Sequence, residues 1–432
     1  MIETKRLLNC QLGSAAGAHF DMRKVSRVGS AKRRPLKIAM LGSRGIPHTY
    51  SGYETFLTEV GPRLVERGHE VLVYCRRSLF RERPKTCKGV RLIYLPSIET
   101  KTMGTLTHTL LSMGDVLFRR VDVIFVVNLV NGFHCILARM LGKQVAINVD
   151  GLDWKRGKWG RLGKSYFYWN AKWVGKICPR GVVTDAQEMR RIYLEEFNTP
   201  NVSIAYGANI ERSQNPEVVK QYGLEPSEYY LVAARLVPEN NTDLILRAFE
   251  QLKSERRLAI AGTANYRSAF VDRLKKTKDP RVLFLGHVGN SEHFKELHCN
   301  SYAYIHAHSL GGTNPALVSA LGYGDCVLAL GTPFNQEVLG GYGILFDNDP
   351  ATLAIKLQWI ENHPEIAAKY RVRAPQRIHE AYTWERITDQ YEELFLQLAS
   401  GQDPTKVHST ITHPTLRQEH FAAAASAVSG DD

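Results

Sequence analysis

Several residues in this chain stand where open α/β sheets usually do chemistry, just beyond the C-terminal ends of expected strands. Asp150 and Asp153 lie in Asn148-Val-Asp150-Gly-Leu-Asp153-Trp-Lys-Arg-Gly-Lys-Trp159, directly after the apolar run Gln144–Val149. Arg235, in Ala234-Arg235-Leu-Val-Pro-Glu239-Asn-Asn, follows the run Tyr229–Ala234. A guanidinium there suits a diphosphate, which it can engage through paired hydrogen bonds; a surface salt bridge is the plainer alternative. In His306-Ala-His308-Ser-Leu-Gly311-Gly-Thr-Asn-Pro315 a strand gives way to a helix. Asn314 fits the N-cap and Pro315 the first helical position, so the backbone of Gly311, Gly312 and Thr313 would face an anion at the helix N-terminus. His306 and His308 share one strand face, but no third ligand follows nearby, which favours hydrogen-bonding histidines over a metal site. Glu337, in Pro333-Phe-Asn-Gln-Glu337-Val-Leu, is the nearest downstream carboxylate; taken alone it reads as a complement to a helix dipole.

A further loop, Gly42-Ser-Arg-Gly45-Ile-Pro-His-Thr-Tyr-Ser-Gly52, joins a strand to a helix and carries three glycines in eleven residues. It offers free N–H groups to a phosphate or sugar, or else is a turn shaped for tight packing. It is not the dinucleotide fingerprint. The spacing is wrong, and Arg76-Arg77 stand after the second strand in place of the acid that would bind an NAD ribose, although NADP would tolerate those arginines, which weakens an oxidoreductase reading without removing it.

The elements that must position these residues alternate between short apolar strands and helical stretches, the signature of parallel α/β sheets. The first unit has strands at Lys37–Leu41, Val71–Cys75, Val90–Leu95, Val123–Val127, Gln144–Val149 and Gly181–Thr184, with a helix over Tyr53–Arg67. The second has Tyr229–Ala234, Leu258–Ala261, Val282–Leu285, Tyr302–His308, Cys326–Leu330 and Gly343–Phe346. Two Rossmann-like domains are expected, over 37–208 and 209–382, followed by a helix over 383–399. Residues 1–36 read as a flexible basic arm, with Met22 a second candidate start, and 400–432 as a disordered tail.

The chain of 432 residues carries a formal net charge of +13, unevenly placed. Residues 37–205 contribute +12 and 1–36 contribute +6, against −3 over 206–399 and −2 over 400–432. An N-terminal half of that sign suits an anionic partner. From Lys155 to Lys176, basic residues are mixed with Tyr166, Phe167, Tyr168, Trp169 and Trp173. That mixture fits an interfacial segment on anionic lipid, a stacking surface for single-stranded nucleic acid, or a core helix with solvated lysines. The seven cysteines form no CxxC pair, there is no apolar signal-peptide core, and no stretch reaches the ~20 apolar residues of a spanning helix. Reduced thiols and a cytoplasmic location are expected.

Taken together, the segments resemble glycosyltransferase family 4, and within it a bacterial rhamnosyltransferase-like branch of surface polysaccharide assembly. The resemblance runs over about residues 37–399 and rests on Leu41-Gly-Ser-Arg-Gly-Ile-Pro, Ser51-Gly-Tyr-Glu-Thr-Phe, the Asp150–Trp159 and Arg235–Asn241 segments, and His306–Pro315. It rests also on Pro333–Leu339 and on Thr383-Trp-Glu-Arg-Ile-Thr-Asp-Gln-Tyr-Glu, which looks like the family's helix crossing back to the first domain. It implies a GT-B fold with a cleft between the two domains, a nucleotide-sugar donor held mainly by the second, an acceptor held by the first, retention at the anomeric carbon, and neither metal nor cofactor. Arg235 would stabilise the departing diphosphate, and Gly311, Gly312, Thr313 and Asn314 would cradle it. Gly45 and Gly52 would approach the donor from the other domain, with Asp150 near the transferred sugar and Glu337 as a further acid. The chain departs from the family pattern in three places. Asn240 stands where many members carry lysine, Ser51 replaces a usual glycine, and Gly311 and Ser319 occupy the family's carboxylate pair. Ser319 can still hydrogen-bond a nucleotide ribose, without charge.

The expected reaction is transfer of a sugar, foremost rhamnose, from a dTDP- or UDP-linked donor to a lipid-linked oligosaccharide. The enzyme would sit at the inner face of the cell membrane, bound to anionic lipid through its N-terminal half, with no nucleic-acid partner. The rival readings are a catalytically weak scaffold of the same fold and a nucleotide-sugar epimerase.

Overall fold

The computed structural model describes residues 34–47, 51–100, 103–157, 159–264 and 268–407. Most of the expected arm and tail, and Lys158 of the basic aromatic segment, lie outside the described residues. The first sheet contains β1 (Lys37–Leu41), β2 (Glu70–Arg76), β3 (Thr86–Cys87), β4 (Val90–Leu95), β5 (Val123–Val127), β6 (Gln144–Asn148), β7 (Val182–Thr184) and β8 (Val202–Ser203). Their order is β3-β4-β2-β1-β5-β6-β7-β8, parallel except for the β3–β4 pair. The second sheet contains β9 (Tyr229–Ala233), β10 (Arg257–Ala261), β11 (Val282–Gly286), β12 (Ala303–His306), β13 (Val327–Leu330) and β14 (Ile344–Phe346). It is fully parallel in the order β11-β10-β9-β12-β13-β14.

Both sheets follow from patterning. Central strands such as Val123–Val127 are apolar at every position because helices cover both faces, and all five of its residues are buried. Register sets Ile38 against Val71 on one side and Val123 on the other, so the ends of β1, β2 and β5 present their loops at one edge. Strands β3 and β8, two residues each, are too short to leave a periodic trace and were not expected from sequence. β12 stops at His306, two residues before the expected end. The Ala307 carbonyl instead accepts a hydrogen bond from the Asn241 amide at 2.8 Å, which draws the chain out of the sheet.

The chain crosses between the sheets twice. Tyr206 packs in the first core and Ala208 in the second, while Tyr382 packs in the second and Trp384 in the first. Ala208 and Thr383 pair as an isolated parallel bridge between these crossings. Gly207 is needed there, because a Cβ would stand 2.6 Å from the Trp384 ring. Helix Trp384–Ala399 then lies against helix Gly52–Glu66, packing Tyr391 on Phe56 at 4.7 Å and setting Phe395 edge-on to Phe125 of β5 at 5.6 Å. Arg67 reaches Glu385, Asp389 and Glu392 across the rim. The buried rings contribute more to this docking than the rim pairs, whose solvent exposure screens them.

Candidate active site

The strand order of the second sheet reverses between β9 and β12, and such a switch point opens a crevice at the carboxyl ends of its parallel strands. Arg235 and His308 stand on its two sides, each two residues past a strand. Arg235 is exposed, and its carbonyl is held by Asn240 Nδ2 at 2.8 Å, so the loop is fixed while the guanidinium is left to the crevice. Asn240 is thereby a buried support of the arginine loop. Asn314 caps helix Pro315–Tyr323 through its side-chain oxygen, 3.0 Å from the Ala316 N–H, and Pro315 occupies the first helical position. The His308 and Asn314 side chains meet at 2.5 Å, and the His306 and His308 rings stack at 4.1 Å. Burial pushes the His306 pKa far down, and burial with the nearby Arg235 charge brings His308 to about 3, so both rings are neutral. Among the described residues no group of three or more His, Cys, Asp or Glu is placed to hold a metal ion.

The first sheet supplies the facing wall. Asp150 follows β6 and accepts a hydrogen bond from the Tyr206 hydroxyl at 3.0 Å, with the Tyr53 hydroxyl as a second donor. Asp153 accepts from the Trp159 indole at 3.2 Å and lies 3.6 Å from Arg156. Arg156, which the sequence grouped with the basic surface, instead turns inward between the two aspartates; its pKa is raised by Asp153 and Asp150 against the cost of burial. Enclosure pushes the Asp150 pKa up, the Arg156 charge opposes this, and Asp153 adds to it. The result is a pair of carboxylates sharing one cation, with tyrosine hydroxyls donating to Asp150 and the Trp159 indole to Asp153.

Contacts between the two domains close the cleft. Gly157 N–H donates to Glu239 at 2.9 Å, and the Thr313 hydroxyl donates to the Asp185 carbonyl. Glu337 accepts from Gln187 N–H at 2.9 Å, so it caps helix Gln187–Phe197 of the opposite domain. Gly52 abuts Pro315, where a Cβ would stand 2.9 Å from the ring. Phe334, on the helix Pro333–Leu339, is buried within the first sheet's core. Of the remaining sequence-derived positions, Gly45 turns at positive φ and packs on Cys75, Gly311 and Gly312 line the turn facing the cleft, and Ser319 is half-buried on the second turn of its helix. The structure therefore sets Gly52 against Pro315, and Gly312 and Thr313 against Asp185, across the cleft, and sets Glu337 against the backbone of the opposite domain.

Sequence reasoning missed Tyr53, Arg156, Asp185 and Tyr206. Asp185 follows β7 and was visible only as a third acid at a strand's C-terminal end. It is 1% exposed, and neither carboxylate oxygen has a hydrogen-bond partner among the described residues. Burial first, then the Asp150 and Glu337 charges, raise its pKa well above the usual carboxylate range. The folded state therefore prefers the protonated acid. Its stabilising effect is complete below about pH 4 and is lost as pH rises through the raised pKa. Asp185→Asn removes the titrating group, so its melting temperature is expected to exceed that of the parent by about 2–4 °C at mildly alkaline pH. That gap should close as pH falls toward about 4. Parallel melting curves across pH for the two proteins would contradict this account.

Two Rossmann-type sheets facing each other over such a cleft define the GT-B fold. Solved structures share the fold at low sequence identity. The sucrose-phosphate synthase of Thermosynechococcus elongatus superposes with a TM-score of 0.70 at 17% identity, over 85% of this chain and 100% of its own. A glycosyltransferase from Rickettsia africae gives 0.64 at 14%, over 84% and 99%. Anabaena HepE in complex with UDP and glucose gives 0.65 at 15%, over 83% and 98%. No curated protein sequence matches the chain. The model for Glycosyltransferase Family 4 matches residues 50–211 and that for Glycosyl transferases group 1 matches residues 214–377. The chain belongs to glycosyltransferase family 4.

Proposed function

We propose that the protein transfers a sugar, foremost rhamnose, from a dTDP- or UDP-linked donor to a lipid-linked oligosaccharide in bacterial surface polysaccharide assembly, with retention and without a metal. The observation that carries this reading is the exposed Arg235 guanidinium at the β9/β12 switch point, beside the Gly311–Asn314 turn and across from Asp150. Arg235 and the turn's N–H groups neutralise the leaving diphosphate. Asp150, hydrogen-bonded by Tyr206, faces the positive charge that develops at the sugar. Preorganised charge of this kind is commonly the largest single contribution to such a reaction. The lipid-linked acceptor is supported by the positive N-terminal half and by Trp169 and Trp173, which stand exposed on the helix Arg161–Ile177 while Phe167 turns inward.

The test is a calorimetric binding screen across dTDP-, UDP- and GDP-sugars, with transfer assays in the presence of a chelator. Anabaena HepE was solved with UDP and glucose, which makes UDP-glucose a necessary arm beside dTDP-rhamnose. A dTDP- or UDP-sugar is expected to bind and to be transferred with chelator present. Donor turnover without any acceptor would instead favour an epimerase, and binding of none of the donors would overturn the reading.

A further inference from the structure

An apolar groove of about 390 Å³ opens on the outer surface of the first domain, away from the cleft residues described above. Helix Met103–Leu117 contributes Met103, Leu106 and Leu110, the turn Leu129–His134 contributes Phe133, the helix Cys135–Met140 contributes Leu137, and the helix Arg161–Ile177 contributes Tyr166. The Tyr166 hydroxyl is fixed to the Val130 carbonyl at 2.9 Å, and its ring meets Phe133 edge-on at 5.8 Å, so that wall is preformed. The apolar surface continues beyond the groove. Leu162, Trp169 and Trp173 recur with Tyr166 at helical spacing on one face, and Met140 and Leu141 are exposed at the end of the neighbouring helix. An apolar patch of this extent is uncommon on a protein that has no partner for it.

Charge shows what covers it. The three helices carry Arg139, Arg161, Lys164, Lys172 and Lys176, and their one acid, Asp115, is engaged by Arg119 and Tyr74. Lys172 and Lys176 lie over the rings of Trp169 and Trp173. Hydrocarbon-sized space and a basic, acid-poor rim together match an amphiphile with an anionic head.

We infer that this groove holds the hydrocarbon chain of the anionic lipid that carries the acceptor, with the lipid phosphate at the basic rim that Arg139, Arg161 and Lys164 supply. The inference rests on the lipid-linked acceptor proposed above. It adds that the enzyme takes part of the chain out of the bilayer, where a surface-bound enzyme would leave it.

The test uses the full chain and farnesyl phosphate as probe. Calorimetry should show saturable binding of farnesyl phosphate that equimolar inorganic phosphate does not displace. The double variant Leu110→Gln, Leu137→Gln should weaken it about tenfold, the equivalent of withdrawing about two methylene groups from burial. Both leucines are substantially exposed, so the melting temperature should be unchanged, and Leu137→Trp, which fills the groove, gives a second variant with the same expectation. In transfer assays the variants should raise KM for a lipid-linked acceptor while leaving kcat, and transfer to a chain-free oligosaccharide, unaltered. Unchanged probe affinity and KM in both variants would overturn the inference while leaving the lipid-linked acceptor standing. Probe binding lost in the variants, in an enzyme that transfers only to chain-free acceptors, would uphold the groove and overturn the acceptor. Concentration-dependent dimerisation abolished by the variants would assign the patch to a second copy and overturn the inference as well.

Discussion

Replacing Arg235 by alanine should lower kcat/KM for the nucleotide-sugar donor by about 10²–10³ while leaving the fold intact. Removing one preorganised donor from a site that stabilises developing negative charge typically costs this much. Here the side chain has the freedom that role requires. Its loop is anchored through the backbone, by Asn240 Nδ2 and by the Val237 N–H at 2.9 Å, both on the Arg235 carbonyl, and the guanidinium itself is exposed. An exposed side chain with its backbone anchored elsewhere contributes little to stability, so the melting temperature should hold. Arg235→Lys separates charge from geometry. A lysine retains the positive charge but loses the planar fork that pairs two phosphate oxygens at once, so an intermediate rate is expected. Steady-state kinetics at saturating acceptor decide the matter: parent-like values for Arg235→Ala would remove the residue from the site.

The legibility of this site in the sequence follows from which interactions are local. Strands β5 and β9, and β1 and β10 after their opening Lys37 and Arg257, announce themselves as continuous apolar runs, because burial on both faces leaves no other polar position. The Asn314 cap and Pro315 are equally local, since an N-cap acts on the N–H groups of its own helix. What could not be read is whatever depends on the opposite domain. Glu337 looks, in its own segment, like an acid at its own helix start, yet its hydrogen bonds run to the backbone of Gln187, 150 residues away. Arg156 sits in a run of basic residues and reads as surface, but two aspartates within six positions of it turn it inward once the strand places them above the cleft. Asp185 has no companion motif in its neighbourhood. Its meaning comes from Gly312 and Thr313, which only the domain arrangement brings to it.

That contact leads to the second large effect. A Cβ built on Gly312 would lie 1.8 Å from Asp185 Oδ1 and 2.2 Å from Oδ2, far inside any real contact. The carboxylate is not at the free end of a flexible side chain in open space. It is buried, and the Asp185 carbonyl is held by Thr313 from the same turn. Gly312→Ala must therefore push the turn and the opposite domain apart. The displacement falls on the Gly311–Asn314 amides expected to cradle the diphosphate, and a misplacement of about 1 Å at a reacting centre can cost roughly 10²-fold in rate. A fall in kcat of about that size is expected, with donor affinity less affected because Arg235 and the rest of the second domain are untouched. The cause can be isolated by removing the obstruction from the other side. In the double variant Gly312→Ala, Asp185→Ala the new methyl group has room, and activity should rise above that of Gly312→Ala alone. A loss caused merely by stiffening the turn would not recover, since Asp185 lies in the other domain. If Gly312→Ala matches the parent in kcat, the closed arrangement with Asp185 against Gly312 is not the one in which sugar is transferred.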